Sequence, residues 1–361
     1  MTPLLRDYRP IERILIRVNN WIGDVVMISP AMRAIRKRFP RAEITLLAKT
    51  WVLEALEGSP YFDRLIQYDR EDEHAGLLGR GRLILLLRRF RFDVAILFQK
   101  AFEAAAFARA AGIPIRIGFR SDHRGWLLSH SLDVPSGRHH VEQFLCIAES
   151  LGCDVSDRRL SFHLDQKSRD AAWSFLIRTG VASSPLRVAF HPGASKPPRG
   201  WHPERLAEVA GALARSRGAR ALLLGSERDF STLEAMARLV GAAAVLPPPG
   251  QSLREMAAVL ERCHLLVCND SGPMHVAAAL RIPVVAVFGP GHPDRTSPYA
   301  DPTLYRVVTA GYACSPCRQD FFRECIPAPS GKPYCLEDVP VRAVWGACEQ
   351  LLDSRPDAVK P

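Results

Sequence analysis

Apolar and polar residues alternate along this chain in short blocks that predict strands and helices in turn. Residues 14–18, 44–48 and 93–98 form apolar runs of strand length, and helical patterns at residues 25–39 and 77–90 lie between them. Short strands alternating with helices of roughly 10–15 residues are typical of right-handed crossovers in a parallel sheet. Both faces of such a sheet are covered by helices.

A second series of the same kind begins near residue 186. Strand-like runs at residues 186–190, 265–268 and 283–288 alternate with further helical patterns, and a last helical pattern covers residues 340–352. A helical linker region at residues 156–185 separates the two series. The pattern predicts two Rossmann-like, doubly wound α/β domains facing a central cleft. Such sheets bind ligands at the carboxyl ends of their strands.

These patterns divide the chain into three parts. A length of 361 residues suits two domains of ordinary size. We predict a first Rossmann-like domain at residues 1–165 and a second at residues 166–338. The remaining residues, 339–361, are predicted to form a C-terminal helix that packs back on the first domain.

The composition is that of a globular protein, with 47% hydrophobic and 24% charged residues. No apolar run reaches the roughly 18–20 residues that a membrane-spanning helix needs. Glu12, Arg13 and Arg17 interrupt the apolar residues near the start of the chain, which is not typical of a secretory signal. We therefore expect a cytoplasmic protein.

The net charge of +10 favours phosphate-bearing partners. Basic residues are concentrated at residues 33–41, and such clusters attract phosphates on nucleic acid, lipid or glycolipid. A solvated helix face is the alternative interpretation of this one cluster, and the one we favour for it. No nucleic-acid motif accompanies the cluster, so we do not expect a nucleic-acid partner.

The first motif with chemical meaning is at residues 19–24, directly after the opening strand. Gly23 permits a sharp turn, and Asp24 then lies at the carboxyl end of that strand. A carboxylate there can remove a proton from an attacking hydroxyl, although an aspartate at this place can also cap the next helix. Arg120, after a possible strand at residues 116–119, could contact an acidic sugar or lie on the surface.

The second motif, residues 191–201, follows the opening strand of the second series. Lys196 and Arg199 offer positive charge to a diphosphate, and the small residues around them allow close approach of the backbone. A surface turn with incidental basic residues is equally consistent with the segment. Glu227, after the strand at residues 220–224, is placed to accept hydrogen bonds from ribose hydroxyls or to favour the first turn of a helix.

The third motif, residues 268–280, is the strongest. A strand ends here, Asp270 or Ser271 can cap the following helix, and Pro273 suits its first turn. The free N–H groups and the dipole of that helix then form a phosphate site, to which Ser271 and His275 can add hydrogen bonds. Capping explains Asp270, Ser271 and Pro273 without a ligand, but it does not explain His275.

Four cysteines follow the second series in the spacing C-x2-C-x7-C-x9-C. C-x2-C pairs are a feature of structural zinc sites, and four thiolates could hold this strand-poor segment together. Free thiols, or a pair that oxidises on exposure, are the alternatives. The four residues are Cys314, Cys317, Cys325 and Cys335.

Residues 20–24, 191–201 and 270–278, in this order and spacing, resemble glycosyltransferase family 9, in particular its type II heptosyltransferases. The likeness runs from about residue 14 to the C-terminal helix. It implies the GT-B fold and an inverting transfer of heptose from ADP-L-glycero-D-manno-heptose to the inner core of lipopolysaccharide. No cofactor is implied. The acceptor is a lipid-anchored glycan, so contact with the cytoplasmic face of the inner membrane is also expected.

The resemblance implies a role for each motif. Asp24 is expected to act as the general base, and Arg199 to take the place of a lysine that steadies the diphosphate. Because Gly200 separates Arg199 from Trp201, Lys196 is an alternative for that role. The other residues expected to bind the donor are Glu227 at the ribose, Ser271, Gly272 and His275 at the pyrophosphate, and Asp270 and Met274 in the same site.

Other functions fit the same patterns. A related GT-B enzyme could use another nucleotide sugar or add a different core residue. A nucleotide-binding scaffold without transfer activity, or a nucleotide-sugar epimerase on a similar pair of domains, is also compatible with the sequence. Donor assays test for another nucleotide sugar. Turnover that depends on Asp24 would distinguish an enzyme from a scaffold, and a requirement for an acceptor would distinguish a transferase from an epimerase.

Overall fold

The computed structural model describes residues 10–354, and its chain divides into two compact units at His163 and Leu164. The division lies two residues before the expected boundary. Residues 1–9, at the start of the first predicted domain, lie outside the described part. Residues 355–361, at the end of the predicted C-terminal helix, also lie outside it. No helix within the described part has the length and apolar character needed to cross a membrane.

The first unit is built on one parallel sheet with the strand order β3-β2-β1-β4-β5-β6. Ile14 of β1 pairs with Ile44 on one side and with Val94 on the other, so β1 lies inside the sheet and is fully buried. The elements of this unit are β1 (Arg13–Arg17), α1 (Ile22–Arg38), β2 (Glu43–Ala48), α2 (Leu53–Leu56), β3 (Arg64–Gln67), α3 (Gly76–Arg89), β4 (Val94–Leu97), α4 (Phe102–Ala110), β5 (Ile115–Phe119), β6 (His130–Leu132) and α5 (His140–Ser150).

The second unit repeats this topology with the order β12-β11-β10-β7-β8-β9. Val267 of β10 pairs with Phe190 of β7 and with Val285 of β11. The elements are α6 (Gln166–Arg178), β7 (Arg187–His191), α7 (Pro203–Arg217), β8 (Arg220–Leu223), α8 (Phe230–Val240), β9 (Ala244–Val245), α9 (Leu253–Glu261), β10 (Leu265–Asn269), α10 (Gly272–Ala279), β11 (Val284–Val287), α11 (Pro293–Thr296), β12 (Tyr305–Val308), α12 (Tyr334–Glu337) and α13 (Val341–Asp353).

The predicted fold class is confirmed, because both sheets are parallel and doubly wound. In each sheet the chain builds outward on one side of its first strand and then crosses to the other side. The switch points lie between β1 and β4 and between β7 and β10. Loops diverge at a switch point and leave a crevice at the carboxyl ends of the strands, where ligands bind.

The C-terminal helix is used differently from our expectation. α13 packs against α7 and β12, and Val344, Cys348 and Leu351 belong to the core of the second unit. Its apolar residues recur with helical spacing, which predicts one buried face without saying which sheet that face will cover. The prediction that this helix returns to the first domain is therefore wrong for the residues described.

The basic cluster on α1 also has a structural role. Three of its cations bind carboxylates, and Arg33 donates to the Arg159 carbonyl at 2.7 Å, which holds the segment after α5 on α1. Surface ion pairs therefore account for these three residues without a phosphate partner. The three ion pairs are Arg33–Asp157 (2.8 Å), Arg36–Asp63 (2.5 Å) and Lys37–Asp154 (2.8 Å).

Candidate functional site

Asp24 lies at the switch point of the first sheet, in the first turn of α1. It does not cap the helix, because Trp21 occupies the capping position and Asp24 is the third helical residue. Its side chain is 18% exposed, and its Oδ1 lies 3.7 Å from Nδ1 of His140, the first residue of α5. A partly exposed carboxylate beside an imidazole can accept a proton from a bound hydroxyl.

The loop before Asp24 is held by a buried arginine. Arg17 donates to the carbonyls of Val18 and Leu47 at 2.9 and 3.0 Å, and to Oδ1 of Asn20 at 2.9 Å. Burial lowers the pKa of the Arg17 guanidinium to about 10. The Trp51 indole donates to the Asn20 carbonyl at 2.6 Å. These bonds fix the turn from which α1 and its carboxylate start.

Arg120, the expected acceptor contact, lies on the surface in a two-bond ion pair with Asp133. The neighbouring Arg124 is fully buried and donates to the carbonyls of Phe119 and Ala101 at 2.9 and 3.0 Å. Burial lowers the pKa of Arg124 to about 10. Arg124 thus joins the ends of β4 and β5. The sequence analysis did not single it out.

In the second unit, Asn269 organises the segment after β7. Its Nδ2 donates to the Pro192 carbonyl at 2.7 Å, and its Oδ1 accepts from the Trp201 N–H at 2.9 Å. Both ends of residues 192–201 are therefore tied to the last residue of β10. Trp201 is fully buried, which anchors the segment from inside. Asn269 lies inside the third motif, but its sequence context gave it no particular role.

Arg199 is brought to the third motif by Asp270. Its Nη2 donates to Oδ2 of the buried Asp270, and its Nη1 donates to Oγ of Ser195 at 3.1 Å. A Cβ at position 291 would lie 2.2 Å from the same Asp270 oxygen, so the glycine there is what allows the carboxylate to approach. Lys196 is exposed, and its Nζ lies 5.6 Å from the centre of the Phe321 ring. Of the two basic residues, Arg199 is the one bound into the motif.

The start of α10 keeps its first turn free of side-chain caps. Ser271 precedes the helix without capping it, and its Oγ lies 3.5 Å from Nδ1 of His191. Asp270 is occupied by Arg199, so capping does not explain either residue. Met274 and His275 are both buried in the first turn. The backbone N–H groups of this turn, beside a guanidinium, are suited to bind an anion.

His191 is buried beneath this turn. Burial lowers the pKa of His191, and the nearby Asp229 carboxylate opposes that effect. A Cβ at position 193 would lie 2.8 Å from Cε1 of His191 and 3.0 Å from Oδ1 of Asp229. The glycine at 193 therefore lets the backbone pass close to both groups.

Glu227 is exposed and begins the short helix Glu227–Asp229 after β8. Ser226 caps that helix, donating its N–H to Asp229 at 2.9 Å. Beside it is a small surface depression lined by Ser226, Phe230 and residues 247–251.

The four C-terminal cysteines are free thiols in the structure. Within residues 10–354, no three His, Cys, Asp or Glu side chains are arranged to hold a metal ion. The thiols therefore do not stand in the geometry of the predicted zinc site. Burial and the other three sulfurs raise the pKa of Cys335 to about 11.

Known proteins similar to this chain show its family and its fold. The sequence model of glycosyltransferase family 9 (heptosyltransferase) matches residues 80–324. The chain belongs to glycosyltransferase family 9. It is 30% identical over 311 residues to lipopolysaccharide heptosyltransferase 2 of Salmonella typhimurium strain LT2, covering 83% of this chain and 89% of that protein. The predicted likeness to type II heptosyltransferases, and the assignment as a transferase, are confirmed.

Two solved structures share the fold. A glycosyl transferase of family 9 from Veillonella parvula DSM 2008 superimposes with a TM-score of 0.82 at 23% identity, over 96% of this chain and 99% of that one. The Escherichia coli ADP-heptose lipopolysaccharide heptosyltransferase II gives a TM-score of 0.75 at 24% identity, over 95% and 99%. Both cover both units, so the two-domain GT-B construction extends through the whole described chain.

Proposed function

We propose that this glycosyltransferase moves heptose from ADP-L-glycero-D-manno-heptose to the inner core of lipopolysaccharide, with inversion at the anomeric carbon. The donor and acceptor are those in the names of the Salmonella and E. coli relatives. The observation that carries the proposal is the anion receptor of the second unit. There, Asp270 holds Arg199 beside the uncapped first turn of α10.

The proposed reaction is a single displacement. Asp24 accepts the proton of an acceptor hydroxyl while that oxygen forms a bond to the anomeric carbon. The bond from that carbon to the diphosphate oxygen breaks, and ADP leaves with the electron pair. Arg199, Ser271, Gly272 and His275 stabilise the charge on the departing diphosphate. The exposed Glu227 carboxylate accepts hydrogen bonds from the ribose hydroxyls of the donor.

The membrane is the second partner in this proposal. The acceptor is a lipid-anchored glycan, so the enzyme must reach it at the cytoplasmic face of the inner membrane. No cofactor other than the donor is part of the proposal. Another nucleotide sugar is the alternative donor, since the anion receptor of the second unit would bind the diphosphate rather than the sugar.

The test is release of ADP from ADP-heptose in the presence of a heptose-deficient core acceptor. We compare the full chain with Asp24→Asn and with the control Glu43→Gln. Glu43 lies at the opposite end of the same sheet, in a surface pair with Arg64. We expect acceptor-dependent release to fall by about 10²–10⁴-fold in Asp24→Asn, while binding of ADP and the activity of the control stay unchanged.

Each of the other possible results contradicts one part of the proposal. Release that persists in Asp24→Asn removes this carboxylate from the mechanism. Turnover of the donor without an acceptor indicates an epimerase or a hydrolase. Binding of ADP without any release indicates a scaffold, and release from UDP- or GDP-sugars alone replaces the donor.

A further inference from the structure

Helix α3 packs on the first sheet through a narrow stripe. Its buried residues are Gly79, Leu83 and Leu87, which are four residues apart and lie on one side of the helix. A Cβ at position 79 would lie 2.5 Å from the backbone of His74, so the helix sits close to the chain that precedes it. Ile84 also packs against this core, and the opposite side of the helix faces away from it.

The outward surface of α3 is apolar where solvent-facing helices are usually polar. Leu77, Leu78 and Leu85 are 85%, 82% and 59% exposed. At about 100° per residue, Leu78 and Leu85 lie on the side opposite Leu83. Single exposed leucines are ordinary, but several on one helix form a patch of the kind that marks an interaction surface.

Arginines flank the exposed leucines of α3. Arg82, Arg88 and Arg89 are exposed, and α3 contains no acidic residue. None of the three has an ion pair within the described residues, whereas Arg80 turns inward to Glu103 at 3.8 Å. An acidic turn at residues 71–73 precedes the helix, and two of its four arginines, Arg88 and Arg89, lie in its last turn.

We propose that α3 is the element through which this enzyme binds an anionic lipid bilayer. A helix with outward leucines and flanking arginines lies in the membrane interface, where the leucines enter the acyl boundary and the arginines contact the headgroups. The inference rests on the proposed function, in which the acceptor is lipid-anchored. Charge favours this occupant over a second copy of the chain, because two such helices would bring their arginines together.

The position of α3 in the sheet suits this role. Crossover helices begin at the carboxyl ends of the strands they follow, so the first turns of α1 and α3 lie at the same edge of the first sheet. Leu78 is the third residue of α3, as Asp24 is the third residue of α1. Leu77 and Leu78 therefore lie at the edge of the sheet that carries Asp24.

The apolar contribution is tested by sedimentation of the full chain with vesicles of phosphatidylethanolamine and phosphatidylglycerol. The variant is Leu78→Ser with Leu85→Ser, and the control is Leu239→Ser on α8, where the leucine is 62% exposed. We expect the partition constant to fall by roughly tenfold in the α3 variant and to stay unchanged in the control.

The charge contribution uses a second pair of variants. Arg82→Gln with Arg89→Gln is expected to lose roughly tenfold in binding to the same vesicles, and added salt is expected to weaken the wild type. Arg238→Gln on α8 is the matched control, since that arginine is also exposed. With vesicles of phosphatidylcholine alone, the arginine variant and the wild type are expected to bind equally weakly.

Three results would overturn the proposal: wild type that does not sediment with anionic vesicles, α3 variants that bind as well as wild type, or a wild-type dimer that the leucine variant converts to a monomer.

Transfer to a deacylated, water-soluble core acceptor separates this proposal from the proposed function. That activity should be the same in wild type and the α3 variants. If wild type lacks it while vesicle binding depends on α3, the acceptor assignment fails and the docking surface stands.

Discussion

The carboxyl edges of the two sheets share a topology but are built in different ways. In the first sheet, Asp24 is partly exposed, and its neighbour His140 is 3.7 Å away. In the second, Arg199 and Asp270 form a close pair, and Asn269 ties the surrounding segment to β10. A general base must stay accessible to a hydroxyl, whereas an anion receptor works best when its charges are fixed before the ligand arrives. In the proposed mechanism, one fold meets both demands.

Apart from Asp24→Asn, the substitution with the largest expected effect on activity is Arg199→Met. Loss of a charged donor to a developing oxyanion is expected to reduce kcat/KM by about 10²–10³-fold. Unlike Asp24→Asn, this variant should also weaken ADP binding, measured by calorimetry. Lys196→Met is the control, because Lys196 is exposed and outside the pair. An equal loss in the control would make both cations part of the receptor.

Asp270→Asn tests whether the carboxylate acts through Arg199. We expect a loss of about 10–100-fold in kcat/KM, because a positioned charge becomes mobile. In the double variant with Arg199→Met, the two losses should not add, since one side chain acts through the other. Additive losses would show that Asp270 acts on the substrate independently.

Gly291→Ala tests the close packing of the second edge. The new Cβ would lie 2.2 Å from the Asp270 carboxylate, so we expect a destabilisation of about 1–3 kcal/mol in urea unfolding. Weaker ADP binding should accompany it. Gly346→Ala in α13 is the control: no atom lies within 4 Å of its Cβ position, and it should raise stability by about 0.4–1 kcal/mol. A stable Gly291→Ala protein with normal ADP affinity would contradict this account.

His140→Gln is expected to have the smallest effect. A partly exposed pair at 3.7 Å contributes about 0–1 kcal/mol, so kcat/KM should change by about fivefold or less. ADP binding, which we assign to the second unit, should not change. A loss as large as that of Asp24→Asn would make His140 a member of the proton-transfer machinery.

Much of the fold could be predicted because periodicity is a local property. The strands predicted at residues 14–18, 93–98 and 265–268 are mostly apolar, and all three lie at the centres of their sheets. Three short strands were missed, β6 with three residues, β9 with two and β12 with four. Segments this short contain too few residues to show a pattern.

Side-chain partners were predicted less well. Asp24 and Asp270 both follow strands, and either could have capped the helix after it. In the structure neither does, because Asp24 falls at the third helical position and Asp270 binds Arg199, which is 71 residues away. The basic residues of α1 and α3 look alike in sequence. In the structure, Arg33, Arg36 and Lys37 of α1 bind carboxylates, whereas the arginines at residues 82, 88 and 89 face solvent.

The sequence by itself determined the alternation of strands and helices, the two-domain α/β class and the glycosyltransferase motifs. Each of these depends on neighbouring residues or on a short spacing that the backbone geometry converts directly into structure. Only the tertiary structure decided that α13 completes the second unit, that Arg199 rather than Lys196 joins Asp270, and that α3 leaves leucines exposed. These features depend on which surfaces meet after the chain folds, and residues distant in sequence set that outcome.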